Sequence, residues 1–307
     1  MKVLVTGATG FIGRRIASRL KEAGLDVRVA SRQPQGPEAA QDSVLLPAAN
    51  APDEAFAALM RDVRHVVHCA ALNNDRRASD ADYQAANGTL SGRLAKAAAE
   101  NAGGRFVYLS SIRAVAGPAF DGIIDEATLP APQCVYGRSK REGEIKIAEA
   151  YAGRADATVL RLPPVYGQGM KGNMATLKRL ADTALPLPGG ALTGVRSLIS
   201  AEAVANAVSH ILTMPARPRP VYIASDRSPV AVSEIVMAFR QGLGRPPRLF
   251  PMSPYPLRLA ASLLGKRASW QALTASQICD PSALAAEGWS PETGTIDRLR
   301  HLAAQAR

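Results

Sequence analysis

Val3-Leu4-Val5-Thr6-Gly7-Ala8-Thr9-Gly10-Phe11-Ile12-Gly13 opens the chain with a short apolar run, three regularly spaced glycines, and then Ile12, Ile16 and Leu20 at helical spacing. That order predicts a buried strand, a tight turn and a helix. Each glycine removes a Cβ where the chain must turn sharply, approach a pyrophosphate, or seat the helix against the strand. The helix start then aims free N–H groups and its positive dipole end at that anion. The implied ligand is a dinucleotide.

The 307 residues, 47% of them apolar, suffice for one large domain or for a domain with a smaller lobe. No apolar run approaches the roughly 20 residues of a membrane span, and no basic stretch precedes an apolar one at the N-terminus. The expectation is a cytoplasmic chain without membrane contact. Cys69, Cys134 and Cys279 are odd in number and far apart, and the four histidines form no ligand-spaced pair, so neither a disulfide nor a metal is expected. The net charge of +11 is carried by scattered lysines and arginines, with only 5% aromatic residues to interleave. That pattern describes a basic surface that draws phosphate-bearing ligands rather than a nucleic-acid site.

Beyond a first helix ending near Gly24, Val27 to Ser31 alternates as a second strand and stops at Arg32-Gln33-Pro34. An acid at this point would bond the ribose 2′-hydroxyl of NAD, and an arginine would accommodate the 2′-phosphate of NADP. Ser31-Arg32 stands here, which favours NADP(H). Gly36 to Gln41 reads as a loop, Ser43 to Leu46 as a short strand, and Asp53 to Met60 as a helix. His65 to Cys69 is the next strand, running into Ala70-Ala71, small residues that let a cofactor backbone approach. Asp80 to Asn101 is predicted as one long helix, stopped by Gly103-Gly104.

The fifth strand, Arg105 to Leu109, closes on Ser110-Ser111, two hydroxyls at a strand's carboxyl end, where ligands bind in open α/β sheets. A loop from Pro118 to Pro132 leads to Tyr136-Gly137-Arg138-Ser139-Lys140 at the head of a helix running to about Tyr151. Tyr136 and Lys140, four apart, share one face of it. Thr158 to Leu162 is a sixth strand. Helices over Ala201 to Leu212 and Ser233 to Leu243, a short strand over Val221 to Ala224, a proline-punctuated stretch around Pro246 to Pro256 and a final helix complete the pattern.

Moving hydride between a carbinol and a nicotinamide needs a matched proton transfer at the oxygen. A phenol with an ordinary pKa of about 10 is a poor base near neutrality unless a cation lowers it. Tyr136 is therefore the candidate general acid/base, Lys140 the cation that tunes it, and Ser111 the hydroxyl that holds the substrate oxygen, with Ser110 and Thr128 in reserve.

A glycine-rich N-terminal turn, a strand ending in Ser-Ser, and Tyr-x-x-x-Lys in that order make the chain resemble the extended short-chain dehydrogenase/reductases, the NAD(P)-dependent epimerase/dehydratase family, over essentially its whole length. The resemblance implies an α/β fold with a doubly wound parallel (Rossmann) sheet and a smaller C-terminal substrate lobe. The division expected is 1–165 for the dinucleotide and 166–307 mainly for substrate, with about 196–224 returning to the main sheet. It assigns cofactor contacts to Gly7, Thr9, Gly10, Phe11, Ile12, Gly13, Ser31, Arg32, Cys69, Ala70, Ala71, Asn87, Tyr136, Lys140 and Pro163. Counting back from Gly117, the family's catalytic Ser or Thr position falls on Ile112, whereas alignment on Ser-Ser-Ile selects Ser111. The Asp-Glu pair that dehydratases carry is replaced by Ile112-Arg113, which argues against elimination of water.

In the same light Arg161, Tyr166 and Gly167 match the family's Arg-x-x-Asn-x-Tyr-Gly segment, with Pro164 at the asparagine position. Asn173 and Arg196 become substrate-binding candidates beside Ser111. The implied activity is hydride transfer on a nucleotide sugar, as a 4-epimerase or keto-sugar reductase. A reductase of a hydrophobic ketone, of the flavonoid or steroid kind, and a non-catalytic nucleotide-binding assembly protein are the alternatives. A homodimer through the helices at Asp80 to Asn101 and Gly137 to Tyr151 is implied by resemblance alone.

Overall fold

The computed structural model describes residues 1–32, 42–73, 75, 77–184, 186–265 and 267–305. The loop expected over Gly36 to Gln41 lies outside them. The first half runs β1 (Lys2–Thr6), α1 (Phe11–Glu22), β2 (Asp26–Ser31), β3 (Ser43–Leu45), α2 (Asp53–Leu59), β4 (His65–His68), α3 (Asp80–Tyr83), α4 (Leu90–Asn101), β5 (Phe106–Ser111), β6 (Ile123–Ile124), α5 (Val135–Ala150) and β7 (Ala157–Leu162). Then follow β8 (Val165–Tyr166), α6 (Gly172–Ala181), β9 (Val195–Arg196), β10 (Ile199–Ser200), α7 (Ala201–Thr213), β11 (Val221–Ile223), β12 (Val230–Ala231) and α8 (Val232–Gly242). The chain closes with α9 (Pro254–Leu263), α10 (Arg267–Thr274), β13 (Ile278–Cys279), α11 (Ser282–Ala286) and α12 (Thr295–Ala304).

Seven parallel strands form the main sheet in the order β3-β2-β1-β4-β5-β7-β11. The two-residue period of a strand explains why both faces are covered. Val3 and Val5 pack with Ile16 and Leu20 of α1 and Val204, Val208 and Ile211 of α7, whereas Leu4 between them packs on the other face with Phe56, Leu94 and Ala98. Each such apolar side chain contributes about 1.5–3 kcal/mol by leaving water. The strand order reverses between β1 and β4, which opens a crevice at their carboxyl ends.

The smaller lobe is organised around α6, α8 and α12, whose Met174, Leu177, Val236, Phe239 and Leu299 form a separate apolar cluster. Two-residue strand pairs, β8 with β10 and β9 with β12, join it to the sheet-bearing part. Among the described residues no helix is long and apolar enough to cross a membrane.

Two segments differ from the sequence expectation. The helix predicted over Asp80 to Asn101 widens into a π-turn over Gln84–Thr89. The cause is Asn87, whose carboxamide is pulled inward: Oδ1 accepts from Leu72 N at 2.8 Å, and Nδ2 donates to Leu72 O at 3.0 Å and Ser139 Oγ at 2.9 Å. Such π-turns recur at functional sites. The loop predicted over Pro118 to Pro132 contains β6, which pairs in parallel with β13, a contact between segments far apart in sequence that no local pattern announces.

Candidate active site

The turn after β1 is built for close approach. Gly7 has φ 69°, and a Cβ there would lie 2.7 Å from Ala70 N, so the turns after β1 and β4 touch backbone to backbone. A Cβ on Gly13 would run into the Gly7 carbonyl. Gly10 precedes α1 with no side-chain cap, and no acidic residue occupies the first turn, which leaves helix N–H groups and dipole for an anion. Thr9 and Gly10 are exposed, and Phe11 and Ile12 are half-buried at the helix start. At the end of β2, Ser31 is buried and Arg32 exposed. This cradle fits the pyrophosphate of a nicotinamide dinucleotide.

Across the crevice, the Ser111 hydroxyl at the end of β5 stands against the Tyr136 phenol in the first turn of α5, near enough to favour its ionised form, and accepts from Arg113 N at 3.2 Å. The other hydroxyls are committed elsewhere: Ser110 donates to Glu144 Oε1 at 2.6 Å and Thr128 to Asp125 at 2.6 Å, while Ile112 is buried. Helix α5 begins at an unusual cap, with Cys134 Sγ accepting from Gly137 N at 3.4 Å. Burial pushes the Tyr136 phenol up to about 12, against the opposing pull of Ser111 and of the Arg113 charge. Burial lowers Lys140 to about 7, opposed by the charges of Glu144 and Cys69. The Lys140 ammonium rests 3.9 Å from the centre of the Tyr108 ring, a cation over a π face.

Beneath this group lie polar residues that sequence analysis did not single out. Glu144 sits four positions beyond Lys140 and accepts from Arg161 Nε at 3.1 Å and Nη2 at 2.8 Å, from Arg141 at 3.0 Å and from Ser110. Tyr136, Lys140 and Glu144 share one helical face, and that spacing was the available signal. Nearer the cofactor turn runs a directional chain. Ala70 N donates to Thr6 Oγ1 (3.2 Å), Thr6 Oγ1 to His68 Nδ1 (2.6 Å), His68 Nε2 to Ser91 Oγ (2.9 Å), and Ser91 Oγ to Asn87 O (2.7 Å). Because Ser91 gives its proton to Asn87, the network assigns the His68 proton to Nε2. Burial, reinforced by Lys140, holds His68 down to about 3, so it stays neutral.

The remaining expected contacts are distributed differently. Asn87 is fully engaged with Leu72 and Ser139, Cys69 and Ala70 are half-buried at the turn, Ala71 is exposed and Pro163 is buried. Arg196 is buried, with Nη1 donating to Pro118 O at 2.7 Å and Nη2 to Gln271 O at 3.2 Å, so it ties the lobe to the segment after β5. Asn173 is exposed on α6. A cavity of about 540 Å³ lies beside α6, between the Gly167 to Gly172 loop and α12, lined by Lys171 and Lys178 and away from Tyr136. Among the described residues no cluster of three His, Cys, Asp or Glu could hold a metal.

Comparison with known proteins aligns with this geometry. A family model described as NAD dependent epimerase/dehydratase family matches residues 3–224. UDP-glucose 4-epimerase of Vibrio cholerae is 29% identical over 300 residues, covering 94% of this chain and 90% of that one. Methionine adenosyltransferase 2 subunit beta of Rattus norvegicus is 33% identical over 177 residues, covering 54% of this chain and 48% of its own. Among solved structures, MoeE5 in complex with UDP-glucose and NAD superposes with a TM-score of 0.78 at 24% identity, covering 100% of this chain and 98% of that one, a likeness of fold.

Proposed function

The chain belongs to the NAD dependent epimerase/dehydratase family, and from that premise we propose that it interconverts the C4 epimers of a nucleotide sugar. The observation that carries this reading is the Ser111–Tyr136 hydroxyl pair facing the crevice beside the glycine turn. The whole-length similarity to the Vibrio cholerae UDP-glucose 4-epimerase supports the substrate class.

Gly7, Gly10, Gly13 and the start of α1 would hold the pyrophosphate, and Lys140 the nicotinamide ribose. When bound, the dinucleotide would supply the acceptor for the C4 hydride and its donor to the opposite face of the ketone. Tyr136 takes the hydroxyl proton as the carbinol is oxidised and returns it when the ketone is reduced. Ser111 keeps the reacting oxygen within reach through both steps. Because burial favours the neutral phenol, proton uptake by Tyr136 depends on nearby positive charge, and Arg113 is the cation that supplies it, whereas Lys140, expected from the sequence to do so, rests over the Tyr108 ring.

Arg32, exposed where β2 ends without an acidic residue, supports NADP(H) as the dinucleotide, and with it a keto-sugar reductase as the second reading. A homodimer through α4 and α5 is part of the same proposal. Denaturing the purified protein and assaying the supernatant separates the two activities: released NAD marks an epimerase, and an empty protein that binds NADPH marks a reductase. The central test is Tyr136→Phe with UDP-glucose as probe. Turnover should fall about 10²–10⁴-fold while the dinucleotide still raises the melting temperature. Unchanged turnover refutes the proposed mechanism.

A further inference from the structure

Arg113 occupies the position where dehydratases carry a carboxylate, and its backbone is clamped between the two catalytic elements. Its N–H bonds the Ser111 hydroxyl, and its carbonyl packs so tightly against Gly137 of α5 that a Cβ there would overlap it. The backbone of Arg113 is thereby fixed beside Tyr136, and the phenol feels the guanidinium charge. Arg113 is half-buried, yet among the described residues its one side-chain hydrogen bond is to the thiol of Cys134, at 3.7 Å. Sulfur is a weak acceptor for a cation with five donors.

Other half-buried or buried arginines face oxygen acceptors. Arg28 pairs with Asp42, Arg93 with Asp53 and Arg161 with Glu144, while Arg105, Arg196 and Arg240 donate to backbone carbonyls. Among the described residues no carboxylate lies within ion-pair distance of Arg113. A second guanidinium, Arg196, is near enough to feel it, since the charge of Arg113 adds to burial in lowering Arg196 to about 10. Two cations thus lie near each other, and a half-buried guanidinium with only a thiol opposite it keeps donors for an anionic ligand group.

Resting on the epimerase reading above, we infer that the reacting sugar carries a carboxylate, as in a nucleoside-diphosphate uronic acid, and that Arg113 grips it. Connectivity selects the group. In a nucleotide sugar the diphosphate leaves from C1, across the ring from the C4 oxygen held by Ser111 and Tyr136. The carboxylate of a uronic acid is borne on C5, next to C4. An arginine fixed beside Ser111 and Tyr136 meets that carboxylate first.

The test compares kcat/KM for UDP-glucuronate and UDP-glucose in the wild-type protein, in Arg113→Met and in Arg113→Lys. A charge-assisted bidentate contact predicts a wild-type preference for the acid of about 100-fold. In Arg113→Met the ratio of the two constants should collapse toward one, and Arg113→Lys should keep part of it. Wild-type protein that turns over UDP-glucose as well as UDP-glucuronate overturns the inference while leaving the epimerase reading intact. So does an Arg113→Met that weakens both substrates alike, since Arg113 would then serve Tyr136 or the shared diphosphate rather than a carboxylate. If neither sugar nucleotide reacts or raises the melting temperature, the epimerase reading falls and this inference with it. The wild-type preference decides the matter even if Arg113→Met folds poorly.

Discussion

Replacing Glu144 with glutamine tests the polar foundation of the site. Its side chain is 2% exposed and that of its partner Arg161 3%, and its carboxylate accepts four hydrogen bonds, from Ser110, Arg141 and twice from Arg161. Among the described residues Arg161 Nη1 already lacks a partner and no second carboxylate pairs with this guanidinium when Glu144 is neutralised. Removing one member of such a buried pair costs about 3–5 kcal/mol, because the other charge is stranded in a medium that solvates it poorly. At roughly 2 °C per kcal/mol for a chain of this size, the melting temperature of Glu144→Gln should fall by about 6–10 °C. Arg161→Met should fall comparably, and the double variant Glu144→Gln/Arg161→Met should recover much of the loss, since neither fully buried charge remains and only the more exposed Arg141 loses a partner. Glu144 also raises Lys140, so the activity of Glu144→Gln should lose its alkaline limb at lower pH than wild type. Thermal melting of the three variants at pH 7, with a pH–rate profile for the first, provides the measurement. A Glu144→Gln protein melting within 2 °C of wild type, or a double variant whose loss is the sum of the singles, would refute the reasoning.

The other variants test separate features. Lys140 is lowered from 10.5 to about 7, so between those values the unfolded chain binds more protons than the folded one, and wild-type stability rises as pH climbs through that window. Lys140→Met lacks this slope. It should melt above wild type at pH 7, with the gap narrowing toward pH 10, and a gap independent of pH would count against the burial argument. Ser111→Ala should lower kcat about 10–100-fold with little change in melting, and Ser110→Ala should do the reverse, because its hydroxyl serves Glu144. Gly13→Ala should abolish the rise in melting temperature produced by NAD, since the added Cβ would also sit 2.9 Å from Ala8 Cα; a full ligand shift in that variant would mean the turn can yield.

The legible parts of the molecule are those governed by local chemistry. Val3 to Gly13 combines a two-residue period, a turn that only glycine permits and a helical period, and each constrains the backbone within a few residues. Tyr136 and Lys140 are legible for the same reason, as two chemistries on one helical face. The π-turn at Gln84–Thr89 was not, because it depends on Asn87 reaching Leu72 and Ser139, which only the assembled fold brings near. The β6–β13 pair escaped because two residues show no period. The choice between Ser110 and Ser111 turns on which neighbour each hydroxyl meets. That neighbour is Glu144 for one and Tyr136 for the other.

Three arginines near the crevice show where residue type stops being informative. Arg161, Arg196 and Arg113 carry the same five donors and permanent charge, and in the sequence each could be read as an anion-binding group. Arg161 is spent on a buried carboxylate and so holds α5 against β7. Arg196 donates to backbone carbonyls from Pro118 and Gln271, and its charge is retained in spite of burial because those dipoles face it. Arg113 alone among the three faces a thiol, and that weak acceptor is what leaves it donors for the carboxylate inferred above. What distinguishes a structural arginine from a substrate-reading one here is the identity of the acceptor opposite it. The substrate half of the site becomes readable only once those acceptors are located.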